Sequence, residues 1–164
     1  MMKKVLAAIS AILLFGSLSP PYGEAYYSPV FMERAELEHS VFYRRGERKL
    51  LNPGKIYYRP PYIFINERYK GVHVIDNSDP ANPVHEGFIV TPGCIDMAMK
   101  GDVLYVDNAV DLVAFDFATK QVTERIRNVL PEPASPDKTV FYGNRKGKDL
   151  ILVGWEKTNV SNLR

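Results

Sequence analysis

The chain has 164 residues, enough for one domain, with 21 basic residues, 19 acidic residues and one cysteine. Lys3 and Lys4 lie at the very start, and without them the charges balance, so neither nucleic acid nor an anionic membrane is expected as a partner, since both demand excess positive charge. The single cysteine, Cys94, excludes an intrachain disulfide.

Residues 1–25 read as a secretory signal. Lys3 and Lys4 supply the charged start, Val5 to Leu18 supplies an apolar run, and Pro20 and Pro21 stop it. The run falls short of the roughly 20 residues that a membrane span needs. Gly23 and Ala25 suit a cut after Ala25, and no cysteine lies near that point to accept a lipid. The expectation is an exported protein, periplasmic or extracellular, that is not a lipoprotein and has no membrane span in its mature chain.

Residues 26–52 are read as an N-terminal helix and linker. Glu33 to Val41 contains helix formers, with Leu37 and Val41 on one face. Arg44, Arg45, Arg48 and Lys49 cluster around Gly46 and Glu47, a short and interrupted basic run that reads as a solvated linker rather than a polybasic contact site.

From Pro53 onward the sequence repeats itself. Tyr62 to Asp76 (YIFINERYKGVHVID) and Val103 to Asp116 (VLYVDNAVDLVAFD) share one pattern: apolar strand, short polar turn, second apolar strand closing on Asp. The starts lie 41 residues apart and the closing aspartates 40 apart. A repeat of about 40–45 residues with several strands per unit predicts propeller-type antiparallel blades. The first unit covers residues 53–93, with strands at 56–59, 63–66, 72–76 and 84–90. The second covers 94–130, with strands at 94–100, 103–107, 112–117 and 122–129. A partial third unit covers 131–164, with strands at 139–142 and 149–155 before a polar tail. A closed propeller needs at least about four blades. The all-β prediction is therefore an incomplete array of two to three blades, with Leu150, Leu152 and Trp155 left uncovered. Either further blades are missing or the ring is completed as a homo-oligomer.

At GVHVIDNSDPANP and DLVAFD the chain resembles the LVIVD-repeat family, extracytoplasmic bacterial β-propeller-like proteins, and Asn52 to Pro83 is especially similar to members of the Bacteroidetes type. The resemblance covers about Tyr26 to Glu156. It implies a propeller-like fold outside the cytoplasm and supplies no catalytic residues. Members of this type are longer and commonly carry a lipid-attachment cysteine near the leader, which this chain lacks.

Asp76, Asp79, Asp96, Asp107, Asp111 and Asp116 could suggest a metal site. Calcium needs six to eight converging oxygens, and no stretch supplies the spaced acidic loop. Asp76 and Asp116 end equivalent strands and are expected to cap turn amides. Asp96 shares a strand face with Cys94 and Ala98, while Ile95, Met97 and Met99 share the other, so Asp96 is expected to be a partly buried carboxylate. His73 lies on the face opposite Val72 and Val74, and neither His85 nor His39 stands at metal-ligand spacing from it. Cys94 has no base placed beside it by any motif. Tyr57, Tyr58, Tyr62 and Phe64 fit sheet packing better than a stacking surface. The expected function is a non-catalytic binding or scaffold role in the cell envelope, toward a protein or glycan, with no cofactor, metal or catalytic residue. The alternative is an envelope glycan hydrolase using carboxylates at the blade tops, which requires two carboxylates within about 5–10 Å.

Overall fold

A computed structural model describes residues 26–138 and 149–158. Among these residues the fold is all-β, with eleven strands and one short helix in three antiparallel sheets, none closed. The strands are β1 (Tyr26–Glu33), β2 (Phe42–Arg45), β3 (Pro53–Arg59), β4 (Tyr62–Glu67), β5 (Gly71–Asp76), β6 (Val84–Val90), β7 (Met97–Lys100), β8 (Val103–Asn108), β9 (Asp111–Asp116), β10 (Gln121–Ile126) and β11 (Leu150–Thr158). The helix, α1, is Arg34–Glu38.

Two meanders form the body. The first sheet has the order β2-β6-β5-β4-β3 and the second β10-β9-β8-β7. The two similar sequence stretches are the central hairpins. Tyr62 pairs with Asp76 and Val103 with Asp116 at one end, Glu67 with Gly71 and Asn108 with Asp111 at the other. The first hairpin turns through residues 68–70 and the second through 109–110. That one-residue difference is why the strand starts and the closing aspartates repeat at different offsets. The first turn needs left-handed backbone at Tyr69 (φ 64°) and Gly71 (φ 141°). A side chain on Gly71 would run into the Ile89 carbonyl oxygen on the neighbouring strand, so only glycine fits.

The sheets bury one face of each against the other. Phe64, Val72, Val74 and Ile89 meet Met97, Leu104, Val106, Val113 and Phe115 in one cluster. Phe117 joins them edge-on to both Phe64 (centroids 5.2 Å) and Tyr62 (5.1 Å). Alternation along the strands divides the early aromatics: Tyr57 and Tyr62 pack against this core while Tyr58 faces outward, 57% exposed. Each fully buried large side chain here contributes about 1.5–3 kcal/mol.

The third sheet corrects two expectations. Residues 26–52 are not a helix and linker alone. They include β1, which pairs with β11 from Tyr26↔Thr158 to Glu33↔Leu150, and β2, which pairs with β6. Because β1 lies along β11, the end of the chain is not left bare. Leu152 and Trp155 are buried with Tyr69 and covered by Tyr27 and Phe31, and Leu150 is half-buried. Helix α1 forms near its expected place but is only five residues long. It stops where the backbone N–H groups of His39 and Ser40 bond back to Glu36 and Leu37. Leu37 drives into a second cluster with Ala109, Val110, Ile151 and Val153. The strand expected at 139–142 and the polar tail beyond Thr158 lie outside the described residues.

Candidate functional site

The β1–β11 ribbon crosses the end of the first sheet at the Tyr69 turn. Between them lies a cleft of about 220 Å³. Val30 and Met32 of β1, Val153 and Trp155 of β11, Val90 at the end of β6 and Pro92 just after it give it apolar walls. Tyr69 and Trp155 are fixed from behind by the backbone of Pro133 and Ala134. The Trp155 indole N–H donates to the Pro133 carbonyl (2.8 Å), and the Tyr69 hydroxyl donates to that of Ala134 (2.8 Å). Gly154 lets β11 pass this close, since a side chain there would meet the Tyr69 ring. The rim is polar. Lys70 reaches Glu156 at 3.1 Å, and Arg48 lies over the Phe88 ring at 4.3 Å from its centroid. A second groove, against α1, is lined by Glu33, Arg34, Ala35, Glu38 and Asp149.

Beside the cleft, a chain of buried polar groups crosses the first sheet. Glu67 closes β4 and is 4% exposed. Its carboxylate accepts the Asn52 N–H (2.7 Å) and the Leu51 N–H (3.0 Å), and one oxygen lies 3.2 Å from His73 Nε2. His73, on β5 and 1% exposed, presents its Nδ1 to His85 Nε2 on β6 at 2.8 Å. Burial pushes the His73 imidazole below its ordinary range, with His85 and Arg48 adding and Glu67 opposing. Nothing local in the sequence marks this pairing. A bulge between Val74 and Ile75 resets the register, placing His85 opposite Ile75.

The second sheet holds its own buried hub. Asp111, fully buried, accepts from Arg34 Nη1 (2.8 Å to each oxygen), Arg125 Nη1 (2.8 Å) and the Asn128 N–H (3.0 Å). Burial alone would raise its carboxyl, but Arg34, Asn128 and Arg125 outweigh it and hold the group below the usual carboxylate range. In the sequence Asp111 is one of six aspartates that could suggest a metal site, and nothing local marks it as an ion-pair hub.

The aspartates Asp76, Asp116 and Asp96 do not line the cleft. Asp76 accepts from the Ser78 N–H (2.8 Å) and hydroxyl (2.6 Å), and Asp116 from the Thr119 N–H (2.8 Å). These bonds hold both carboxyls below their ordinary range. Asp96 is not the partly buried carboxylate expected. Its face is the outer one: Ala98 is exposed while Met97 turns to the core, and the Asp96 side chain is 59% exposed and paired with Lys55 at 2.7 Å. Lys55 holds its carboxyl down rather than up. The half-buried carboxylate is its neighbour Asp107, which burial pushes up and which accepts the Asp96 N–H at 2.9 Å. Cys94 is buried, takes the Asn66 amide N–H on its sulfur at 3.0 Å, and has its thiol pushed up by burial.

Among the described residues, no group of three or more His, Cys, Asp or Glu is placed to hold a metal ion, and no helix is long and apolar enough to cross a membrane. Comparison with protein-family models, with curated proteins and with solved structures gives no match for this chain.

Proposed function

We propose that this chain is a non-catalytic, exported repeat protein of the LVIVD kind, built from propeller-type blades, that binds a protein or glycan of the cell envelope at the Trp155 cleft. The cleft carries the reading. It joins a rigid indole and apolar walls to a charged rim, the usual composition of a recognition site. A five-stranded and a four-stranded meander, packed face to face with β3 beside β7, support the blade assignment. Hydrolysis of a glycan would use two carboxylates converging on the substrate. Among the described residues lining the cleft, the carboxylate is Glu156, already engaged by Lys70.

Trp155 is the sole tryptophan, so its emission reports the cleft directly. Titrating the purified protein with N-acetylglucosamine oligosaccharides and with short peptides of aromatic and acidic residues should give a saturable change with one class. Arg48→Ala should weaken that change. No response from either class, with no shift in melting temperature, would overturn the reading.

A further inference from the structure

The buried chain Glu67–His73–His85 ends on the segment that carries Arg48 to the lip of the cleft. Glu67 holds that segment by the backbone N–H groups of Leu51 and Asn52. Arg48 rests on Phe88, whose ring meets His73 edge-on with centroids 4.8 Å apart. We propose that Glu67, His73 and His85 form a proton-operated latch that holds Arg48 and residues 48–52 on the cleft while the His73–His85 contact shares a single proton and releases them when His73 gains a second. The coupling to ligand rests on the reading of the cleft as a binding site; the latch itself does not.

Nitrogens 2.8 Å apart share one proton. His73 Nε2 faces a carboxylate, so it carries a hydrogen, and Nδ1 of the neutral ring accepts from His85 Nε2. His85 Nδ1 is then a bare lone pair, and it is buried without a partner among the described residues. A second proton has no good place. On His73 Nδ1, it obliges His85 to switch tautomer and set an N–H at its buried Nδ1. On His85 Nδ1, it does the same directly. In both cases a donor is buried without an acceptor, and positive charge arises beside Arg48. The strain is relieved if His85 withdraws and Arg48 leaves Phe88.

The charged or titratable groups facing His73 are Glu67 from β4, His85 from β6 and Arg48 from the β2–β3 connection. Glu67 favours the charged ring, while burial, His85 and Arg48 oppose it and prevail. A histidine whose folded value lies below its unfolded value of about 6.5 stabilises the fold fully above that pH. The contribution is lost as pH falls from there toward the folded value. Release is therefore expected on the acid side of neutrality, where histidine switches operate.

Amide exchange on the ¹⁵N-labelled protein tests this without any ligand. From pH 7.5 to 5.0, protection factors at Leu51 and Asn52 should fall at least tenfold, in step with the His73 ring resonances. Those of Val72 and Val74 in the core should hold. His73→Gln should flatten the response. His85→Gln, which leaves no second ring to charge, should move the His73 midpoint upward and keeps the test open if the first variant fails to fold. Constant protection at Leu51 and Asn52 would overturn the latch. So would parallel loss at Val72 and Val74, or a His73 midpoint unmoved by His85→Gln. Because no ligand enters, failure here leaves the cleft's binding test untouched, and an empty cleft leaves this one untouched.

Discussion

The Asp111→Asn substitution should be the most damaging isosteric change on the surface of contact between the second sheet and the N-terminal segment. Asparagine keeps the shape but offers one oxygen where Asp111 offers two. Its amide N–H groups must then face guanidinium donors that now sit at 2.8 Å. The two arginine side chains are only 14% and 12% exposed, so water cannot replace the lost charge. Removing one partner from a buried ion pair costs about 3–5 kcal/mol, most of it from the charge left behind. A domain of this size holds about 5–15 kcal/mol in all, so roughly a fifth or more of its stability is at stake. Urea unfolding followed by Trp155 emission measures the loss. The matched control is Asp96→Asn, which breaks an exposed pair and should change stability by no more than about 1 kcal/mol. The pH dependence has a definite sign. The Asp111 carboxyl is held below its unfolded value of about 3.9, so its contribution is complete above that pH and lost as pH falls through the folded value. The acid limb of the stability curve should therefore be shallower in the variant. A cost under about 1 kcal/mol, or no greater than that of Asp96→Asn, would refute the reasoning.

Phe64→Ala empties the centre of the two-sheet core beside Phe117 and should cost about 3–5 kcal/mol in the same assay. Cys94 should resist a thiol reagent in the native protein and react only at the rate of unfolding, and fast labelling without denaturant would contradict its burial. Asp76→Ala and Asp116→Ala should each lower the melting temperature through the lost turn bonds, equally with and without calcium. A calcium-dependent rise in the parent protein that vanishes in both variants would favour a metal site instead.

The central hairpins were legible because their information is local. Alternation, Gly71, the Tyr69 turn and the closing aspartates all lie within the segments they shape. What was not legible depends on partners far along the chain. Strand β1 contains Pro29 and ends at a helix, which demotes it on local grounds, yet it pairs with β11 over a separation of about 120 residues. Its existence follows from the apolar face of β11, which no window around residue 30 contains. Asp96 differs for a smaller reason: small neighbours such as Cys94 and Ala98 do not mark a buried face, and it is Met97 that turns to the core. The His73–His85 contact needed both the strand order and the position of one bulge, and each is a tertiary fact.

The buried polar groups also explain why residues 26–52 are part of the body. A two-stranded ribbon is marginal alone in water, so β1–β11 must be held from outside. Both repeats offer the same place for this, the turn end of their central hairpins. In the first, Tyr69 packs on Leu152 and Trp155, and Glu67 grips the Leu51 and Asn52 amides. In the second, Ala109 and Val110 pack on Ile151, Val153 and Leu37, and Asp111 grips Arg34 at the start of α1. Each turn thus pairs an apolar contact with one buried carboxylate, at Glu67 and at its cross-strand neighbour's counterpart, Asp111. The apolar contacts supply most of the free energy, while the carboxylates fix which segment docks and in what register, because an unmatched buried charge excludes the alternatives. The N-terminal segment is therefore tied to both meanders at once, and the cleft exists only where those two ties bring β1, β11 and the Arg48 segment together.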